Sequence, residues 1–340
     1  MKGQVIFDCK NILVVGGAGF IGSHLCDELI KENKVICLDN FSTGAERNID
    51  HLLADPNFAF VRHDITKPID LKKLKDLQKF KLQFQGIQEV YNLACPTSPK
   101  EFQNNRVANL MANSFGVKNV LDIVMRNQAK LVHFSSGRVY GEKNQENKDK
   151  RVREDDIESF DFLSQRSAHD EGKRFAEALI DNYRQVYNID AKILRPFRVY
   201  GPRMKLNDNR MIPDFVNDAL DNKEVVIPGD ENFSSSFCYV RDMIDAALKM
   251  MASNVSGPLN IGSDLELTVK EVAQKVIDLV GSDSSISFSE KDRFITPFRL
   301  PDINAASNKL GWMPISTLDK GLEQTVDDLR ASKGLRNVEC

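Results

Sequence analysis

The sequence predicts an α/β protein: a doubly wound parallel sheet followed by a smaller C-terminal α/β lobe. Three observations predict it. Short runs rich in Val, Ile and Leu alternate with amphipathic stretches through the first half of the chain, the pattern of a parallel sheet covered by helices on both faces. The first run ends in a glycine cluster and passes at once into a helical pattern. After residue 200 the texture changes to proline and turn signals around isolated helices. The 340 residues, 41% hydrophobic and 28% charged, suffice for one large core or two joined lobes.

In chain order, "NILVVGG", "KVICLDN", "AFVRHD", "EVYNLA", "KLVHFSS" and "AKILRPFRVYG" read as buried strands. Between them "FIGSHLCDELIKE" and "ANSFGVKNVLDIVMRNQ" read as helices, as does residues 164–180, "SQRSAHDEGKRFAEALI". The charged segment 143–158 reads as a surface loop at the mouth of a cleft, without folded structure. Later come the turn-rich "NDNRMIPDFVNDALDNKEVVIPG", the amphipathic helix "LTVKEVAQKVIDLVG" and a last helix, "LDKGLEQTVDDLRA".

A net charge of −3 gives no surface suited to nucleic acid or anionic membrane. No apolar run has spanning length, and the N-terminus enters a strand without a signal-peptide build. Cys9, Cys26, Cys37, Cys95, Cys238 and Cys340 have no CxxC spacing, so neither a metal site nor a disulfide framework is expected. Small buried hydrophobes in a reducing cytoplasm fit them best. The scattered histidines lack ligand spacing, and His133, inside a strand run, reads as core.

The sharpest local signal is "NILVVGGAGFIGSHLCDEL". Gly16, Gly19 and Gly22, with Gly17, stand where a tight turn, close backbone approach to a pyrophosphate and helix–sheet packing are needed. Phe20 and Ile21 open the helix. Asp39 ends the next strand about twenty residues on, where an acid binds the ribose hydroxyls of NAD and repels the extra phosphate of NADP. NAD is therefore the expected cofactor. Asn40, Phe41, Ser42, Thr43 and Gly44 follow that acid and join its site. Asp64 and Ile65, at another strand end, are candidates for the adenine edge, although Asp64 also fits a helix N-cap. Leu93, Ala94 and Cys95 lie where a loop would pass under the cofactor, and Asn109 completes the set.

Together the glycine turn, Asp39, "NLA", "HFSSGRVYG" and a helix ending in Lys173 resemble the extended short-chain dehydrogenase/reductase family, the NAD-dependent epimerases and dehydratases. The resemblance runs from about residue 10 to residue 330 and includes "RPFRVYGPRM", "FCYVRDM", "LNIG" and "PDINAASNKLGW". Within the family, "LACPTSPKEF" and "YGPRMKLNDNR" look most like UDP-glucuronate decarboxylases. The resemblance implies a Rossmann domain over residues 8–196 plus about 236–258, and a nucleotide-sugar lobe over 197–235 and 259–332. It implies a homodimer built on two helices per subunit, and an NAD enzyme that oxidises a nucleotide-linked sugar, expected to be UDP-linked, at C4. Decarboxylation is the nearest precedent. Epimerisation or redox at C4 and a catalytically impaired binding protein are the alternatives. A 4,6-dehydratase is disfavoured, because a Thr-Asp-Glu arrangement there is matched by Ser136, Gly137 and Arg138.

The family's serine, which hydrogen-bonds the sugar oxygen, matches Ser136. Its ribose-binding lysine matches Lys173, which also belongs to the cofactor site. Its catalytic tyrosine is replaced by His169. Histidine, with an ordinary pKa near 6.5, accepts a proton at neutral pH with less help than tyrosine near 10; being shorter, it reaches the sugar directly or through a water. The pocket departs from the family elsewhere too. Arg138 stands for a glutamate, Ser235 for an arginine and Arg198 for an asparagine. Arg138 and Arg198 are candidates to bind a diphosphate or carboxylate, with Arg198 also near the cofactor. Arg203 and Arg210, inside family motifs, are further diphosphate candidates, and Pro96 and Lys100 join the substrate loop.

Overall fold

The computed structural model describes residues 9–101, 104–141, 151–156, 161–164, 166–289 and 300–338. The chain first lays down β1 (Asn11–Val15), α1 (Phe20–Leu29), β2 (Lys34–Asp39), β3 (Phe58–Arg62), α2 (Leu82–Gln85) and β4 (Glu89–Asn92). Then follow α3 (Arg106–Met111), α4 (Val117–Asn127), β5 (Lys130–Phe134), α5 (Ser167–Tyr187) and β6 (Ala191–Pro196). Beyond these lie β7 (Val199–Tyr200), α6 (Met211–Leu220), β8 (Val225–Pro228), β9 (Ser234–Ser235), β10 (Cys238–Tyr239) and α7 (Val240–Ala252). The last elements are β11 (Pro258–Ile261), β12 (Leu267–Thr268), α8 (Val269–Val280), β13 (Ile286–Ser289), α9 (Asn304–Leu310) and α10 (Leu318–Val338).

Seven strands form one parallel sheet in the order β3-β2-β1-β4-β5-β6-β11. The strand order reverses between β1 and β4, the point where doubly wound sheets open a crevice at their carboxyl ends. β1 is buried at all five positions, which explains its unbroken apolar run: a strand covered on both faces has no polar side to alternate with.

The chain forms two compact units. The first takes the described residues up to Cys95 with 111–134 and 175–192; the second takes 96–110, 135–174 and the described residues from 193 onward. The first unit's core is built from Leu13, Val15, Ile36, Val90 and Leu131, all fully buried. In the second, α6, α8 and α10 pack together and β8 pairs in parallel with β13. Thr268 caps α8 by accepting from Glu271 N while the Glu271 carboxylate accepts from Thr268 N, a capping box. Trp312 is fully buried, and its indole N–H donates to Asp242 O at 3.0 Å.

Four expectations change. "AKILRPFRVYG" is two strands, because Arg198 takes a left-handed backbone (φ +34°) between them. The turn-rich segment after residue 209 contains α6; Pro213 lies in its first turn, where backbone N–H groups have no intrahelical acceptor. The helix expected over 112–128 opens with a π turn, Ala112–Gly116, before α4. Of the charged loop, 143–150 and 157–158 lie outside the described residues. Within 151–156, Val152 is 1% exposed and bridges Pro301, its N–H donating to Leu300 O at 2.8 Å. One apolar side chain there outweighs its charged neighbours.

Candidate active site

In the first unit, the turn after β1 is shaped for a close backbone approach. Gly16 has φ +81°, and a Cβ there would lie 2.8 Å from Ala94 N. A Cβ on Gly22 would lie 2.1 Å from Gly16 O. No side chain caps α1 at Gly19, and its first turn holds no acid, so its N–H groups and positive dipole end are open to an anion. Phe20 and Ile21 begin this helix, half-buried. Asp39, 8% exposed, ends β2; its Oδ2 accepts from Ala18 N at 3.0 Å and its Oδ1 from Phe41 N at 2.8 Å. Burial raises its carboxyl pKa, and these backbone bonds oppose the rise. A carboxylate has about four lone-pair sites, so with backbone bonds from Ala18, Phe41 and Asn40 it retains capacity for a ribose hydroxyl.

Around this acid, Asn40 Oδ1 accepts from Ser42 N at 2.9 Å. Phe41 stacks on Phe60 with centroids 4.7 Å apart, and the Arg62 guanidinium lies 5.7 Å from the Phe41 ring centre. Thr43 is half-buried, and a Cβ on Gly44 would lie 2.9 Å from Ala18 O. Asp64 folds into its own turn, its Oδ1 accepting from Thr66 N at 3.0 Å and Thr66 Oγ1 at 2.8 Å. Ile65 is buried, and its carbonyl accepts from Asn119 Nδ2 at 2.8 Å. Leu93 and Ala94 form the backbone facing Gly16. Asn113 Nδ2 donates to Cys95 Sγ at 3.1 Å. An open helix end, glycines that a Cβ would obstruct and a strand-end carboxylate together fit a dinucleotide with a free ribose.

In the part of α5 that belongs to the second unit, Ala168, His169, Gly172 and Lys173 are buried, three and four residues apart as one helix face requires. His169 is 6% and Lys173 3% exposed. His169 Nδ1 meets Asp170 Oδ1 at 2.9 Å. Burial lowers the His169 pKa, as do the charges of Lys173 and Arg166, while Asp170 opposes the fall. The Asp170 carboxyl is held below its ordinary value: against the cost of burial, His169, Arg138 and Arg166 all favour its anion. Arg138 and Arg166 are each 6% exposed. Arg198 is pushed down to about 9 by burial and by Arg166.

Ser136 caps the short turn after β5, its Oγ accepting from Arg138 N at 3.1 Å; its O–H still has a proton to donate. A Cβ on Gly137 would lie 2.7 Å from the Phe197 ring. The remaining candidates in this unit sit apart in their bonding. Asn109, 2% exposed, donates to Pro96 O. Arg210 Nε lies 3.1 Å from Asp208 Oδ2, and its Nη2 donates to Thr97 O at 3.0 Å. Arg203 has φ +66°, and its N–H donates to Asp328 Oδ2 at 2.7 Å. Lys100 is exposed, and its charge acts on Asp214, whose carboxyl is pushed up to about 7 by burial and by Asp218. Ser235 is buried in β9, paired with Leu267 of β12.

The sequence reading missed Asp170, Arg166 and the buried pair in which Ser98 Oγ donates to Asp208. The signal for Asp170 was present: an acid next to a histidine on a helix. Arg166 precedes that histidine by three residues, one turn away. Ser98 and Asp208 are 110 residues apart, and only the fold unites them. Among the described residues no group of three His, Cys, Asp or Glu side chains could hold a metal, and no helix is long and apolar enough to cross a membrane.

A profile of the NAD dependent epimerase/dehydratase family matches residues 12–262. UDP-glucuronic acid decarboxylase 6 of Arabidopsis thaliana is 35% identical over 330 residues, 95% of this chain and 90% of that protein. UDP-glucuronic acid decarboxylase 1 of Xenopus tropicalis is 33% identical over 95% of this chain and 73% of its own. Among solved structures, UDP-glucuronic acid 4-epimerase from Bacillus cereus in complex with UDP-glucuronic acid and NAD matches with TM-score 0.78 and 27% identity, covering 95% of this chain and 99% of that one. The fold is that of these α/β enzymes.

Proposed function

Because the chain belongs to the NAD dependent epimerase/dehydratase family, whose cofactor is NAD, we propose that it modifies a nucleotide-linked sugar through oxidation at C4, with a UDP-linked uronate as the first substrate to test. The observation that carries this reading is the buried His169/Lys173 pair on one face of α5, in a chain that also keeps the complete glycine turn and Asp39. The decarboxylase relatives support a uronate; the 4-epimerase neighbour supports the same substrate with another outcome.

The turn Gly16–Gly22, the α1 N-terminus and Asp39 would hold the dinucleotide, with Lys173 on its nicotinamide ribose. NAD, when bound, supplies the hydride acceptor for the sugar carbon. Ser136 donates its O–H to the C4 oxygen and fixes its position. His169, neutral because burial lowers its pKa, takes the hydroxyl proton as the carbonyl forms. A C4 ketone lies β to a uronate carboxylate, the arrangement from which CO2 leaves readily; Arg138 and Arg198 are the cations proposed to orient that carboxylate in place of the position held by Ser235. Lys173, by adding positive charge beside His169, helps keep the imidazole neutral until the hydroxyl proton arrives. Arg203, Arg210, Pro96 and Lys100 remain the proposed diphosphate and nucleotide contacts.

The proposal extends to a cytoplasmic homodimer. Among the described residues Cys9, Cys26, Cys37, Cys95 and Cys238 are thiols, and both candidate helices expose apolar side chains, Phe115 at 60% and Phe175 at 52%. Sedimentation of the wild type as a dimer, and of Phe115→Glu or Phe175→Glu as a monomer, tests it.

The decisive experiment assays the purified protein for bound NAD(H). It is then mixed with UDP-, dTDP-, GDP- and CDP-sugars while absorbance at 340 nm and product masses are followed. Turnover of a UDP-uronate with loss of CO2 supports the decarboxylase outcome, and inversion at C4 the epimerase one. Tight binding of one sugar without turnover of any would establish instead a binding protein. His169→Ala should abolish turnover while NAD binding survives.

A further inference from the structure

We propose that Asp170 is a positioning residue that fixes His169 in the Nδ1–H tautomer, leaving Nε2 as the nitrogen that accepts the substrate proton. The inference rests on the reading of His169 as proton acceptor and supplies what a bare tyrosine-to-histidine exchange lacks. A phenol has one reactive oxygen, whereas imidazole has two nitrogens, of which a neutral ring offers only one lone pair.

The 2.9 Å contact between His169 Nδ1 and Asp170 Oδ1 decides which. An ionised carboxylate only accepts, so the shared proton sits on Nδ1 and the lone pair on Nε2. Asp170 is kept ionised by its surroundings: Arg138, from the turn after β5, and Arg166, just before α5, both favour its anion. The groups acting on His169 itself include Asp170 and Lys173 from α5 and Arg166 from the preceding segment. Both partners are shielded, with side chains 7% and 13% exposed, so water competes little for the contact. This arrangement also assigns Arg138 and Arg166 a part in holding the Asp170 anion, beyond any contact with substrate.

In the proposed oxidation the O–H bond at C4 would break and an Nε2–H bond form, leaving an imidazolium with both nitrogens protonated, while bound NAD would supply the acceptor for the hydride lost from C4. Asp170 stays an anion and lowers the energy of that cation, as a carboxylate behind a catalytic histidine does.

Two readouts test this. Long-range 1H–15N correlation on 15N-histidine-labelled protein, with the His169 signal identified by its loss in His169→Gln, reports the tautomer without cofactor or substrate. The expected result is Nδ1–H in the wild type and a shift toward Nε2–H in Asp170→Asn. With the sugar that the wild type turns over, Asp170→Asn should lower kcat about a hundredfold or more while KM changes less than about threefold. Since Asp170 raises the proton affinity of His169, the acidic limb of the kcat profile should move to lower pH in Asp170→Ala. An Nε2–H tautomer in the wild type overturns the proposal whether or not any sugar reacts. An unchanged kcat in Asp170→Asn also overturns it. Failure of every sugar to react, alongside an Nδ1–H wild type, overturns the enzyme reading and leaves the tautomer assignment standing.

Discussion

Gly22 and Asp39 are the residues on which the proposed cofactor site turns. A methyl group at residue 22 would sit 2.1 Å from Gly16 O, so Gly22→Ala must push the turn open. It should lose NAD affinity by at least tenfold in calorimetric titration and melt at a lower temperature than wild type. At Asp214 the chemistry concerns stability. Its folded pKa, about 7, is above the ordinary 3.8; its contribution is fully present below the ordinary value and is lost as pH rises through the folded one. Wild-type melting temperature should therefore fall between pH 5 and 8 relative to Asp214→Asn. His169 has the opposite sign. Its folded pKa is below the ordinary 6.5, so stability is lost as pH falls from that value through the folded one, a loss that His169→Gln should escape. Equal pH slopes in wild type and variant would refute either assignment.

At the scale of elements, α8 shows local rules deciding structure. Thr268 and Glu271 close both ends of a capping box; Thr268→Ala should cost about 1 kcal/mol, read from urea unfolding at constant slope. This helix and α5 were legible because their side-chain periods agree with their burial, and β1 through β6 because their short apolar runs do. α6 was not, because its Pro213 and flanking Asn and Asp residues carry turn chemistry, whereas its existence depends on Ile212, Phe215, Val216 and Ala219 finding a core. The break at Arg198 was hidden for a related reason. An arginine at positive φ has no local signature in the sequence.

At the scale of the molecule, the site's legibility followed distance along the chain. The glycine turn, Asp39 and the His169/Lys173 spacing lie within single elements or adjoining ones, so sequence order displays them. The hydrogen bond from Ser98 to Asp208 and the one between Tyr140 and Asn260, at 2.7 Å, join residues more than a hundred positions apart, and no period or motif records such a pairing. The fold also arranges the thiols unequally. Cys26, Cys37 and Cys238 are buried, while Cys9 and Cys95 are partly open. A hydrogen bond with Cys26 together with burial pushes the Cys37 thiol up, and burial does the same for Cys238. Brief alkylation of the native protein should thus mark Cys9 and Cys95 and spare those three, all of which react once urea is added. Cys95 follows the Leu93–Ala94 backbone against which Gly16 rests, so its rate of modification becomes a footprint of the dinucleotide, slowing as NAD is added and readable by mass spectrometry before any substrate is known.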